Sequence, residues 1–246
     1  LSHKLEKPDW KEVIRQWPKI LGLAVFGVTG YNMLLYYALS YTSPLNAALV
    51  NSFNPGLMAL VSAIYLKEKV TKYHIFGIII SFLGVLIVLT KGHILQTLTT
   101  DYNKGDLLII AAVICWTLYS MIGKKLTSVP PITSTGVSGL VSALFLFPFA
   151  MNTGVSYLNM STFALVAVIY IAIFPSMLSF VLWNIGVREI GAAKTGIFLN
   201  LNPVFTALIS WAMGREITWV QIIGGIFVFT GVYITTAFKG RPIKIK

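Results

Sequence analysis

The side chains with chemical capacity are few, and they gather around two prolines. Asn51, Asn54 and Pro55 lie in one apolar run, and Asn200, Asn202 and Pro203 lie in another. Proline has no amide hydrogen, so Pro55 deprives the Asn51 carbonyl of its helical partner, and Pro203 does the same to Leu199. A freed carbonyl inside an apolar layer needs a partner or a wet cavity, and the neighbouring amides both donate and accept. Two roles are open to this group, a polar binding site at the kinks or hydrogen-bonded glue between helices.

Other candidates pair by helical spacing. Asn32 and Tyr36 are four apart, Trp116 and Tyr119 three apart, and Trp183 adjoins Asn184; residues three or four apart share a helix face. Aromatic walls with a few amides suit an amphiphilic zwitterion or a flat heterocycle. The alternative, an interfacial aromatic belt, suits Trp17, Tyr41 and Trp219 better. Pro175 joins Pro55 and Pro203 as a hinge candidate. Lys194 is the one cation beside an apolar interior, placed either to pair with a substrate carboxylate or to snorkel to the headgroups. Glu68 and Glu216 stand beside Lys67 and Arg215 and are followed by Thr71 and Thr218. That pattern reads as turn and N-cap chemistry, with a gate ion pair as the second reading.

The missing residue types exclude several functions. His3, His74 and His93 fall outside the apolar runs and Cys115 is the single cysteine, so the sequence offers no intramembrane Ser-His pair or His/Cys metal set. No carboxylate falls deep in an apolar run, where a proton-coupled pump usually keeps one, and no Walker motif is present. No cofactor or metal is implied. Asn159-Met160-Ser161 matches a glycosylation pattern too short to carry weight.

The elements that must position these residues follow from composition. Of 246 residues, 56% are hydrophobic and 11% charged, with mean hydropathy +0.78; soluble domains carry about 25% charged residues. The chain therefore reads as an all-α integral membrane protein. Eight runs approach the roughly 20 residues a bilayer helix needs: Ile20–Leu39, Leu45–Leu66, Ile75–Thr90, Leu107–Ile122, Thr135–Met151, Phe163–Val187, Thr195–Met213 and Val220–Phe238. With eight crossings, of the 19 Lys and Arg only Lys91, Lys104 and Arg215 fall on one side. By the positive-inside rule both ends are cytoplasmic. The net charge of +11 thus reflects topology, and no nucleic-acid partner is implied.

The chain also repeats itself about 148 residues on. Asn54-Pro55 matches Asn202-Pro203, Glu68 matches Glu216, Thr71 matches Thr218 after a one-residue deletion, Gly77 and Gly84 match Gly224 and Gly231, and Lys91-Gly92 matches Lys239-Gly240. The copies begin five crossings apart, so they enter the membrane from opposite faces, the inverted arrangement common in secondary transporters. With a five-helix unit, residues 105–240 hold a complete second repeat and 20–92 a partial first one of three helices. Residues 1–19 then form a cytoplasmic N-terminal segment and 241–246 a cytoplasmic tail. The expected parent is a 5+5 bundle whose first two helices precede Leu1. The Gly pairs, seven apart, read as helix-packing positions.

On these residues the chain resembles the drug/metabolite transporter superfamily, specifically its EamA-type branch of ten-helix bacterial permeases. The likeness rests on Ala38-Leu-Ser-Tyr-Thr-Ser, on Asn54-Pro55 through Glu68 to Gly84 with its echo from Asn202-Pro203 to Gly231, and on Gly105-Asp106 leading to Trp116. The resemblance implies a permease of the bacterial inner membrane moving a small neutral or zwitterionic metabolite, often exporting amino acids, by alternating access. It implies that the first, second, sixth and seventh helices line the cavity, with an absent helix and the fourth as further candidates. The expected substrate-binding set is Asn32, Tyr36, Asn51, Asn54, Trp116, Tyr119, Trp183, Asn184, Lys194 and Asn202. The protein would act as a monomer or homodimer whose partners are the substrate and the bilayer. A carrier of phosphorylated sugars or nucleotide-sugars is the alternative, and would need several cavity cations. A structural or assembly protein is the alternative of another class.

Overall fold

A computed structural model describes residues 6–95, 103–151 and 161–238. The tail 241–246, the Lys239-Gly240 end of the repeat, the first five residues and Asn159-Met160 of the glycosylation pattern lie outside the described residues.

Among the described residues, a short helix, α1 (Trp10–Arg15), precedes eight helices long and apolar enough to cross a membrane. These are α2 (Trp17–Ala38), α3 (Pro44–Tyr65), α4 (Lys72–Thr90), α5 (Lys104–Lys125), α6 (Pro131–Met151), α7 (Thr162–Ile190), α8 (Ala192–Ala212) and α9 (Trp219–Ala237). Each contains most of one apolar run, and several start earlier because polar caps, not the first apolar residue, set a helix start. The Thr71 hydroxyl accepts from the His74 amide, and Thr218 accepts from Gln221. Asn103 and Asp106 form a reciprocal cap at the start of α5.

Both proline signals break their helices. α3 is interrupted at Ser52–Phe53, just before Asn54-Pro55, and α8 tightens to 3₁₀ geometry over Ile197–Asn200, just before Asn202-Pro203. Around Pro175 the turns of α7 widen to π geometry over Ala172–Leu178, and the Ser179 hydroxyl donates to the Phe174 carbonyl at 3.0 Å. α2 widens in the same way over Leu23–Tyr31.

The closest helix pair is α4 with α9. Gly77 and Gly84 face Gly231 and Gly224, so that the two backbones touch. Side chains there would hold the helices apart, and in lipid the close approach replaces a hydrophobic driving force. The largest buried cluster is aliphatic with an aromatic centre at Trp116, Tyr119 and Phe180, and gathers on α2, α5 and α7 with Leu23, Met58, Met121 and Val187.

Lys67, Lys69, Lys124, Lys125, Arg188 and Lys194 share one end of the bundle, hereafter the basic end. There the Arg188 guanidinium donates to the Gly123 and Val129 carbonyls at 3.2 and 2.6 Å and to the Ser134 hydroxyl at 3.2 Å. Lys124 donates to the Arg188 carbonyl at 2.7 Å. Glu6 reaches the start of α6, accepting the Ile132 and Thr133 amides at 2.8 Å each. The opposite end is built from the α2–α3, α4–α5 and α8–α9 connections.

Candidate functional site

A cavity of about 660 Å³ lies between the broken helices α3 and α8, toward the opposite end, backed by α4 and α9. Pockets for small molecules span roughly 300–1,000 Å³, so a metabolite fits. Its walls carry Asn51 and Ser52 from α3, and Asn200, Asn202, Pro203, Thr206 and Ser210 from α8. Lys91, Arg215, Glu216 and Gln221 stand at its mouth. A helix break leaves backbone groups seeking partners, and these polar side chains flank both breaks.

Asn200 is the most constrained of the wall residues. It is buried, its Nδ2 donates to the Ser81 hydroxyl of α4 at 3.0 Å, and its Oδ1 has no partner among the described residues. Ser52 is spent on its own helix, donating to the Leu49 carbonyl. Arg215 and Glu216 give the mouth one charge of each sign, with Lys91 as a second cation. Among the described residues, no three His, Cys, Asp or Glu side chains come together as a metal set would require.

The structure divides the expected binding residues into groups. Asn51, Asn202 and Pro203 line the cavity. Trp116, Tyr119, Trp183 and Asn184 instead meet in the core among α2, α5 and α7. Trp116 lies 4.9 Å from Tyr31, 5.3 Å from Tyr119 and Phe180, and 5.0 Å from Trp183, ring centre to ring centre. Asn184 Nδ2 donates to the Tyr119 hydroxyl at 2.6 Å and to Thr135 at 3.1 Å, while Trp183 Nε1 donates to Ser120 at 3.0 Å. Asn54 is buried beside the α3 break with Pro55, and its Oδ1 has no partner among the described residues. Neither residue lines the cavity.

The remaining candidates lie elsewhere. Asn32 bonds back to the Val28 carbonyl of its own helix at 2.8 Å. Tyr36 is 66% exposed, and Pro175 is exposed on α7. Lys194 sits in the first turn of α8 at the basic end, away from the cavity. The cavity walls are thus the second and seventh helices with the third and eighth behind. The first, fourth and sixth, expected to contribute, are occupied with one another, because large aromatic rings on neighbouring helices bury most area by packing together.

Arg215 and Glu216 were legible as a possible gate pair, but Lys91 and the hydroxyls of Thr206 and Ser210 were not legible as cavity residues, since a connecting loop gives no sign of which cavity it rims. The symmetric position of Ser210 and Ser62, 148 residues apart, was the available signal. Asp106, read in the sequence only as part of the Gly105-Asp106 signature, proves to be a structural tie. It is 3% exposed, accepts from the Thr42 hydroxyl at 2.7 Å and the Asn103 amide at 2.9 Å, and so ties the α2–α3 turn to α5. The Asn-x-x-Asp spacing of a capping box announced it.

An eight-helix membrane bundle with two broken helices around a polar cavity defines a multi-pass membrane transporter. The EamA-like transporter family matches residues 4–90 and again 103–237, so the chain belongs to that family, within the drug/metabolite transporter superfamily. It is 39% identical over 214 residues to a Bacillus subtilis protein named uncharacterized transporter YyaM, covering 85% of this chain and 70% of that protein. It is 25% identical over 233 residues to the aromatic amino acid exporter YddG of Ancylobacter novellus, covering 89% of this chain and 78% of that protein. One protein crystal structure superposes with a TM-score of 0.76 over 96% of this chain and 81% of its own, at 21% identity, a likeness of fold.

Proposed function

We propose that this transporter carries a small zwitterionic metabolite of the amino-acid class across a prokaryotic plasma membrane by alternating access. The single observation behind this is the cavity between the two broken helices, whose amide and hydroxyl walls end in a mouth bearing Arg215, Lys91 and Glu216. A substrate with both an ammonium and a carboxylate finds a partner for each there, and a neutral body finds amides. A phosphate dianion would meet Glu216 beside the cations, which disfavours phosphorylated sugars. The distant relative YddG, named an aromatic amino acid exporter, is in keeping with this class. By the positive-inside rule the basic end faces the cytoplasm and the cavity the exterior.

The test is counterflow in liposomes. Purified protein preloaded with one unlabelled amino acid should accumulate labelled amino acids saturably, and Asn51→Leu with Asn200→Leu should abolish this while the protein stays folded. Accumulation that organic phosphates compete away and amino acids do not would overturn the assignment.

A further inference from the structure

Glu68 and Glu216 hold matching places in the two repeats, yet their carboxylates behave differently. Glu68, in the α3–α4 connection, reaches across to α8. Its Oε1 accepts the Ala192 amide at 3.0 Å and its Oε2 accepts the Ala193 amide at 3.1 Å. These are the first amides of α8, and the residue before them, Gly191 at φ +91°, has no side chain with which to cap. A carboxylate there satisfies two orphan donors and meets the positive end of the helix dipole. Glu68 therefore caps one repeat from the other and ties them together at the basic end.

The register of the repeat makes the start of α3, at Pro44 and Leu45, the corresponding target of Glu216. No hydrogen bond reaches the Glu216 carboxylate among the described residues, and it lines the cavity mouth together with Pro44 and Leu45. Ser43 caps α3 by itself, its hydroxyl accepting the Asn46 amide at 3.1 Å. The walls show the same asymmetry. Met58 is fully buried, and a Cβ on Gly196 would stand 3.1 Å from its Sδ. Their counterparts in the repeat, Thr206 and Ala48, both line the cavity. One pair of equivalent contacts is closed and the other is open.

We propose that Glu68 and Glu216 are alternating latches: in this state Glu68 holds the basic end shut, and the opposite state forms when Glu68 releases α8 and Glu216 docks on the start of α3. The inference rests on the transporter reading but not on any substrate. The two latches are unequal by chemistry. Glu68 takes two otherwise uncapped amides, whereas Pro44 has no N–H and Asn46 is already bonded to Ser43, leaving Glu216 the Leu45 amide. The resting protein therefore favours the Glu68-latched state.

The test reads which side each wall faces, without transport. On a Cys115→Ser background, single cysteines replace Thr206 or Met58, and sealed vesicles of known orientation are treated with a membrane-impermeant maleimide from either side. With Glu68 intact, Thr206→Cys should label from the end opposite the basic one and Met58→Cys should stay protected. Glu68→Gln should raise Met58→Cys labelling from the basic side about fivefold or more and lower that of Thr206→Cys. Glu216→Gln should leave the resting pattern unchanged. Ala192→Pro, which gives α8 the start that α3 has, should act in the same direction as Glu68→Gln and serves if the latter does not fold. Folded Glu68→Gln or Ala192→Pro protein with the original labelling pattern would overturn the latch, whereas failure of amino-acid counterflow with the labelling switch intact would overturn only the substrate assignment.

Discussion

A Cβ atom on Gly77 would stand 2.6 Å from the carbonyl oxygen of Gly231, and Gly231 in turn abuts the carbonyl of Gly77. Gly84 and Gly224 oppose each other in the same way, with a Cβ on Gly84 2.6 Å from the Gly224 carbonyl oxygen. Because Gly77 and Gly84 correspond to Gly224 and Gly231 in the repeat, exchanging the repeats maps one contact onto the other. The α4–α9 seam thus lies on the relation between the repeats, and it fixes the partners around which α3 and α8 sit.

Gly84→Leu should cost more stability than an ordinary core substitution. The groups a side chain would meet are the Gly224 carbonyl and the Val228 amide, which cannot move aside as a flexible side chain does. Overpacking typically costs about 1–3 kcal/mol, and here the cost should reach the top of that range or exceed it. Thermal unfolding in detergent should show a clear drop, while Gly84→Ala should be milder but still destabilising.

Asn184→Leu should behave as a scaffold lesion. The amide is fully buried and donates to Tyr119 and Thr135, and leaving those hydroxyls without it costs about 1–3 kcal/mol. The unfolding midpoint should fall while KM for the transported compound stays unchanged in the protein that remains folded. A selective rise in KM would instead place Asn184 against substrate.

Arg188→Lys should destabilise the basic end despite keeping the charge. A planar guanidinium serves Gly123, Val129 and Ser134 at once, a fork that an ammonium cannot reproduce. Losing one such charged bond costs about 1.5–3 kcal/mol, which thermal unfolding of the variant will read.

Thr206→Trp should block transport without loss of fold. Thr206 is exposed on the cavity wall and among the described residues its hydroxyl bonds only to the Asn202 carbonyl of its own helix, so a large ring enters open space. Flux in liposomes should fall to the level of empty vesicles while the unfolding midpoint stays near that of the parent. Normal flux would show that substrate takes another route.

The sequence by itself determined the membrane class, the eight helices and the kinked pair, because these depend on local quantities. Apolar run length decides what a bilayer accepts, a proline breaks its helix wherever the helix lies, and Thr71 and Thr218 cap their own first turns. Asn51 and Asn202 were legible as cavity residues for the same reason, since each sits next to its own break. Tertiary structure decided the rest. Trp116, Tyr119, Trp183 and Asn184 have the composition of a binding wall, and only the packing of α2, α5 and α7 shows that they stack on one another in the core, with Asn184 donating to Tyr119. Glu68 and Glu216 are equivalent in sequence, yet one caps a helix more than a hundred residues away and the other faces a cavity. Which carboxylate finds a donor depends on how the repeats lean against each other, a relation between distant segments that no local pattern encodes.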